Sequence, residues 1–278
     1  MTRIPFRKMH GLGNDFVVLD QRRDPIEIDA AGARAIADRR TGIGCDQLLL
    51  LEPPRDARVQ VFMRIFNPDG SEAEACGNGT RCVAGLIAAE TGRGVVIIET
   101  VAGLLPATID EAGIATVDMG APRFDWRDIP LSREMDTLHV ELRRGPLSDP
   151  ACTNMGNPHA TFFVDDAEAI DLVRLGPLLE HDPLFPERAN IGVATVRDRQ
   201  TIRFRVWERG VGITRACGSG ACAAMVAAHR RGLIDERVTA ILDGGNLEIT
   251  WPDRGHVLMT GPTALSFEGT FDAALLTS

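Results

Sequence analysis

Three features of this sequence predict an α+β fold made of two pseudo-symmetric mixed α/β halves. They are a set of internal echoes at nearly one offset, a series of short β-branched runs punctuated by Gly and Pro, and two Ala-rich helical stretches that each follow a Gly-rich start. Residues 75–89 read ACGNGTRCVAGLIAA and residues 216–228 read ACGSGACAAMVAA, with Cys76 and Cys217 141 positions apart. Gly13-Asn14-Asp15-Phe16 is echoed by Gly156-Asn157-Pro158-His159, 143 positions on, and the run ending at Asn67 by the run ending at Glu208, 141 positions on. Three collinear pairs are hard to assign to chance, and the period is far too long for a solenoid. The length of 278 residues fits the same division, at roughly 100–200 residues per domain.

The elements follow from local pattern. Residues 59–66 (VQVFMRIF) are strongly apolar with a partial alternation, 95–101 (VVIIETV) are β-branched, and both predict strands, as do 161–164, 191–196 and 201–207. Helices are predicted over 30–40, 77–90, 168–180 and 218–231, where small and apolar residues recur at helical spacing.

Composition removes several function classes. Apolar residues at 44% and charged residues at 25% argue against disorder. The net charge of −9 disfavours nucleic acid and anionic membranes as partners, although short Arg clusters leave room for a locally positive pocket. Aromatic residues are 5% with no Tyr, too few for a surface that stacks bases. No run approaches the ~18 apolar residues of a membrane helix. The N-terminus leads into no apolar signal region, so the six cysteines are expected to be thiols and the protein cytoplasmic.

The repeated Ala-Cys-Gly-x-Gly carries the chemistry. Glycine permits close approach, and the first N–H groups of a helix lack intrahelical partners and carry the positive end of its dipole. Each copy therefore offers an anion site beside a thiol whose ionisation the same field favours. Cys76 and Cys82 are six apart, Cys217 and Cys222 five apart, and no CxxC occurs, which argues against a metal. No GxxxxGK[ST] phosphate loop is present, GxGxxG is incomplete at Gly11 and Gly13, and no Lys-centred pyridoxal-phosphate signature is evident, so no cofactor is expected. A cysteine hydrolase explains one copy and leaves the other idle. Acid–base chemistry from two sides uses both: one thiolate removes a proton from a carbon while the other thiol donates to the opposite face, inverting that centre. Cys82, Cys152 and Cys222 are assigned as small buried hydrophobes.

At these residues the sequence resembles the diaminopimelate epimerase family, the pyridoxal-phosphate-independent epimerases. The resemblance rests on MHGLGNDF (9–16), GIGCDQ (42–47), FNPDGSEAEACGNGTRC (66–82), GNPHA (156–160) and WERGVGITRACGSGACA (207–223), and extends over essentially the whole chain. It implies two domains, each a curled sheet or barrel around a central helix. One would span residues 1–120 plus 264–278 and carry Cys76, the other 121–263 and carry Cys217, with the active site in the cleft between them. The implied activity is interconversion of LL- and meso-diaminopimelate for lysine and peptidoglycan synthesis. Cys76 matches the proton donor and Cys217 the acceptor for LL-to-meso conversion. Gly77, Asn78, Gly218 and Ser219 match the groups that hold the reacting carboxylate. Asn14, Gln47, Asn67, Asn157, Asn190, Glu208 and Arg209 match the other substrate contacts, and His159 and Glu208 match residues that tune the thiols. The implied assembly is a homodimer.

Trp207 stands where the family usually has Tyr, and Ile213 where a polar residue is often found. With no Tyr in the chain, the interface Tyr of some members is missing, and Phe271 is the candidate to replace it. Two alternatives remain open at this point: a proline- or hydroxyproline-type racemase, and a non-catalytic thiol protein that binds metal or senses redox state. Cys45, just before Asp46 and Gln47, has no assigned role.

Overall fold

The structure is a computed structural model, and it describes residues 2–74 and 76–277. The chain divides into two compact units, Met1–Val117 with Gly261–Ser278, and Asp118–Thr260. In chain order the elements are β1 (Arg3–Gly11), β2 (Asn14–Asp20), α1 (Ala30–Ala37), β3 (Gln47–Glu52), β4 (Val61–Phe66), β5 (Glu72–Ala73), α2 (Gly77–Thr91), β6 (Val95–Thr100), β7 (Gly103–Ile109) and β8 (Ala115–Asp118). There follow β9 (Arg143–Arg144), β10 (Leu147–Ser148), β11 (Ala151–Asn154), β12 (Pro158–Phe163), α3 (Leu172–Glu180), β13 (Asn190–Asp198), β14 (Thr201–Glu208), β15 (Gly212–Ile213) and α4 (Gly218–Arg230). The last are β16 (Arg237–Leu242), β17 (Gly245–Thr250), β18 (Leu258–Gly261) and β19 (Ala264–Asp272).

The sequence echo is an echo of topology. In the first unit β1 pairs antiparallel with β2, β2 parallel with β3, β3 antiparallel with β4, β4 antiparallel with β5 and parallel with β6, and β6 to β8 form a meander. The second unit repeats these seven pairings with the same senses through β11, β12, β13, β14, β15, β16, β17 and β18. The C-terminal β19 pairs antiparallel with β1, which is why the chain's end belongs to the first unit.

Each sheet curls around its Ala-rich helix. α4 touches strands along the whole of its sheet, from β11 to β17, and Gly220 to Ala228 are all buried. A helix that is apolar all round must be covered all round, and its Ala side chains let the strands close in. α2 plays the same part against β1, β6 and β7, with Cys82, Val83, Ala84 and Ile87 fully buried. The other helix of each unit packs outside: α1 lays Ala33 and Ile36 against Val17, Leu19, Leu48 and Leu50, and α3 lays Leu172, Leu175 and Leu179 against Phe162, Ile191 and Val193.

Two helices are shorter than the sequence predicts. α1 stops at Ala37 because the Asp38 carboxylate takes the amides of Arg40 and Thr41, at 2.7 Å each, and its backbone is extended. The segment 168–180 opens with a 3-10 turn, and the regular helix begins only after Asp171, whose side chain accepts from the Arg174 amide. Phe271 is buried in the first unit's outer cluster with Phe6, Ile36 and Leu276 and offers no surface aromatic; Phe267, 52% exposed on the same strand, does.

Candidate functional site

Asn14, Cys76 and Asn78 meet at the N-terminus of the central helix of the first unit, and Asn157, His159, Glu208, Cys217 and Ser219 at that of the second. In the first unit the β1–β2 turn runs through Leu12 and Gly13, both at positive φ (58° and 82°), and delivers Asn14 to the head of β2. Asn14 accepts at its Oδ1 from Asn78 Nδ2 (3.0 Å), in the first turn of α2. Gln47 opens the neighbouring strand β3 and donates to Asn67 Oδ1 (3.0 Å), just beyond β4. Cys76 is the N-cap of α2, half-buried and extended in backbone, and its Sγ accepts from the Gly79 amide at 3.3 Å. Gly77, Asn78 and Gly79 form the helix start, and a side chain at Gly79 would meet Leu49 and the sulfur itself.

The second unit places the counterparts at the same topological positions. Gly156, at φ 93°, turns the chain into Asn157 and β12. Asn190 opens β13 as Gln47 opens β3; it donates to Pro158 O (2.9 Å) and accepts from the Arg209 amide (2.9 Å). Glu208 ends β14 and accepts from the Thr214 hydroxyl. The Arg209 side chain is exposed, with Nη1 donating to Glu187 O at 3.1 Å. Cys217 is the N-cap of α4 and is only 4% exposed, its Sγ 3.7 Å from Ser219 Oγ. Burial raises the Cys217 thiol well above its ordinary range. The Glu208 carboxylate adds to the rise, and the Gly220 amide and Ser219 hydroxyl offset only part of it.

His159 lies 2.7 Å by its Nε2 from Asn157 Oδ1 and 3.1 Å from Ser219 Oγ, and is 2% exposed. Burial, and then the charge of Arg209, push it down to about 3, so the ring is neutral near pH 7. Since an amide oxygen only accepts, the Nε2–H tautomer fits Asn157. His159 occupies the register position that Phe16 fills in the first unit: His159 pairs with Asn190 as Phe16 pairs with Gln47.

The other thiols lie in apolar surroundings. Burial raises Cys82 and Cys152 to about 12 and Cys45 to about 11, and Cys222 is fully buried. At neutral pH the first three are unreactive. Among the described residues no helix is long and apolar enough to cross a membrane.

Some supporting contacts, unlike the residues that make them, carry no signal in the sequence. Trp207 packs its indole over Gly176, where an added Cβ would come within 2.4 Å of the ring, and it donates to Glu180 Oε2 at 2.7 Å. Glu180 is 3% exposed and also accepts from the Gly210 amide (2.9 Å), which braces the turn carrying Glu208 and Arg209. Ile213 pairs with Trp207 across β14–β15 and is 39% exposed. Asp46 joins Asn14 to a charged cluster of Lys8, Asp15 and Arg39.

The sequence model of the diaminopimelate epimerase family matches residues 6–124 and 151–265. A diaminopimelate epimerase of Rhodospirillum centenum is 61% identical over 271 residues, covering 98% of this chain and 93% of that protein. One of Acidiphilium cryptum is 58% identical over 272 residues, covering 98% of each. Among solved structures, a hydroxyproline epimerase from Agrobacterium vitis aligns over 99% of this chain and 94% of its own, with a TM-score of 0.73 at 17% identity. A PhzF-family protein of Bacillus anthracis aligns over 98% of this chain and 100% of its own with a TM-score of 0.65, also at 17% identity. At that identity the likeness is one of fold.

Proposed function

From the premise that the chain belongs to the diaminopimelate epimerase family, we propose that it interconverts LL- and meso-2,6-diaminopimelate by proton transfer between two cysteines, with no cofactor. The observation that carries this is the doubled site: each unit sets a cysteine at the N-cap of a buried central helix whose first turn is Gly-rich. The mechanism requires the two helix starts to converge on one α-carbon. The amides of Gly77, Asn78, Gly218 and Ser219 then hold the α-carboxylate, whose charge grows as the carbanion forms, so these fixed dipoles favour the transition state over the ground state. Gln47, Asn67, Asn190, Glu208 and Arg209 hold the rest of the substrate, whose two amino-acid ends need directed donors and acceptors.

In the LL-to-meso direction Cys217 removes the α-proton and Cys76 returns one to the opposite face. Cys217 is held protonated by its surroundings, so its proton must leave before it acts as base. Glu208, whose carboxylate acts directly on that sulfur, is the group to take it. His159, neutral and bonded to Asn157 and Ser219, fixes the polar contacts around the thiol.

The test is incubation of the reduced protein with LL-diaminopimelate, proline and 4-hydroxyproline in deuterated buffer. Label entering diaminopimelate, with meso product forming, supports the assignment. Label at the α-carbon of proline or hydroxyproline, and none in diaminopimelate, refutes it.

We also propose a homodimer built on β19. That strand leaves Leu265 and Phe267 51% and 52% exposed, two large apolar side chains close together on one strand. Phe267→Lys is expected to shift the protein from dimer to monomer in light scattering after size exclusion; a mass unchanged by the substitution sinks the interface. The need for free thiols places the enzyme in a reducing compartment, the cytoplasm.

A further inference from the structure

Beneath the first unit's cluster lies a charged network that the second unit lacks. Asp46 Oδ2 accepts from Asn14 Nδ2 (2.9 Å) and from the Asp15 amide (3.0 Å), while its Oδ1 accepts from Arg39 (2.7 Å). Arg39 also grips the Asp15 carboxylate, at 2.5 Å, and Lys8 pairs with Asp15 from beneath while donating to Gly44 O. Burial would raise the Asp15 carboxyl, but Arg39 and Lys8 hold it at about 2, so it is ionised. By strand register the second unit has Ala189, fully buried, where the first has Asp46. There the neighbouring asparagine, Asn157, is instead held at its oxygen by His159.

A carboxylate only accepts hydrogen bonds, whereas an amide can be turned either way. With Asp46 beside it, Asn14 must turn its nitrogen inward, its oxygen must face Asn78, and Asn78 must give its nitrogen. The polarity of two amides in series is thus set from one carboxylate. Asn78 is in the first turn of α2, and its backbone amide belongs to the proposed carboxylate site.

We propose that Asp46 is a positioning residue: by fixing the polarity of the Asn14–Asn78 pair it holds the α2 helix start ready for the substrate carboxylate, the task that His159 performs in the other half. This rests on the function proposed above. The charged cluster behind Asp46 keeps it oriented, since Arg39 and the Asp15 amide bind the two oxygens separately.

The test compares Asp46→Leu with Asp46→Asn. Leu removes the acceptor; Asn can turn its oxygen to Asn14 and give up only the Arg39 contact, a pair 33% and 56% exposed and therefore weak. Asp46→Leu is expected to lower kcat/KM about 10–100-fold, through a fall in kcat together with a rise in KM, per folded molecule as measured by thermal melting. Asp46→Asn is expected to recover to within about threefold of wild type. A merely structural role would lower the folded fraction and leave KM alone, and that result, or a failure of Asn to rescue, overturns the proposal. The ¹⁵N side-chain signals of Asn14 and Asn78 give a readout independent of turnover. They are expected to be dispersed and slow to exchange in wild type and Asp46→Asn, and averaged in Asp46→Leu. If wild type fails to turn over diaminopimelate, the functional assignment falls and these signals decide the role of Asp46 alone: unchanged signals in Asp46→Leu overturn it.

Discussion

Cys76→Ala and Cys217→Ala are each expected to lose epimerisation of LL-diaminopimelate by about 10³-fold or more, because a positioned acid or base contributes typically 10²–10⁴-fold and each variant lacks one of the two on which inversion depends. The loss should not come from unfolding. Cys76 accepts one helix-capping bond, from the Gly79 amide at 3.3 Å, and losing such a cap costs about 1 kcal/mol. Cys217 bonds weakly through its sulfur, to the Ser219 hydroxyl at 3.7 Å, the Gly220 amide and the Glu208 carboxylate, and its replacement removes one buried sulfur. Melting temperatures should therefore move by a few degrees while turnover collapses.

The variants should also differ from each other. Each keeps one thiol, on one face of the α-carbon. With Cys217 left, Cys76→Ala should wash deuterium slowly into LL-diaminopimelate without forming meso product. With Cys76 left, Cys217→Ala should label the meso isomer without forming LL product. Near-normal turnover in either variant rules out the two-sided mechanism, and labelling of both isomers by both variants rules out one thiol per face.

The parts of this molecule that sequence reveals are those the repeat writes twice. Cys76 and Cys217, Asn14 and Asn157, and Asn67 and Glu208 are legible because two halves with the same seven strand pairings place a thiol or a polar side chain at the same corners. Gln47 and Asn190 hold one register position but share no local motif, and they stand out through the family resemblance alone. What differs between the halves is illegible for the complementary reason. Asp46 and Ala189, or Phe16 and His159, become equivalent only through strand register, and the meaning of Asp46 lies in contacts with Asn14 and Arg39 that sequence distance conceals.

The fold shows the same division. The strand within 95–101 declares itself by β-branching and that within 59–66 by partial alternation, but β3 runs Leu48 to Leu51 without alternation because all four are buried, a pattern that does not distinguish strand from helix. The choice between Phe271 and Phe267 depends on what covers β19. Both touch Phe6, yet only Phe271 lies within the cluster that α1 and the C-terminal turn complete.

Glu208→Gln should separate the two effects of that carboxylate, because they move in opposite directions. Burial raises the Cys217 thiol first, and the negative charge of Glu208 raises it further. Glutamine keeps the shape and removes the charge, so Cys217 should ionise at lower pH and be alkylated faster by iodoacetamide at any fixed pH in the alkaline range. Read in a Cys76→Ala background, with Cys217 followed by peptide mass, the alkylation midpoint should fall. Epimerisation in the single variant should nevertheless drop, by about 10²–10³-fold, because the group that takes the Cys217 proton is gone. A thiol that becomes more reactive while catalysis fails is the mark of a proton acceptor; loosened packing would speed alkylation without moving its midpoint. If Glu208→Gln retains turnover within tenfold, Cys217 loses its proton by another route, and Glu208 serves only to hold the far end of the substrate.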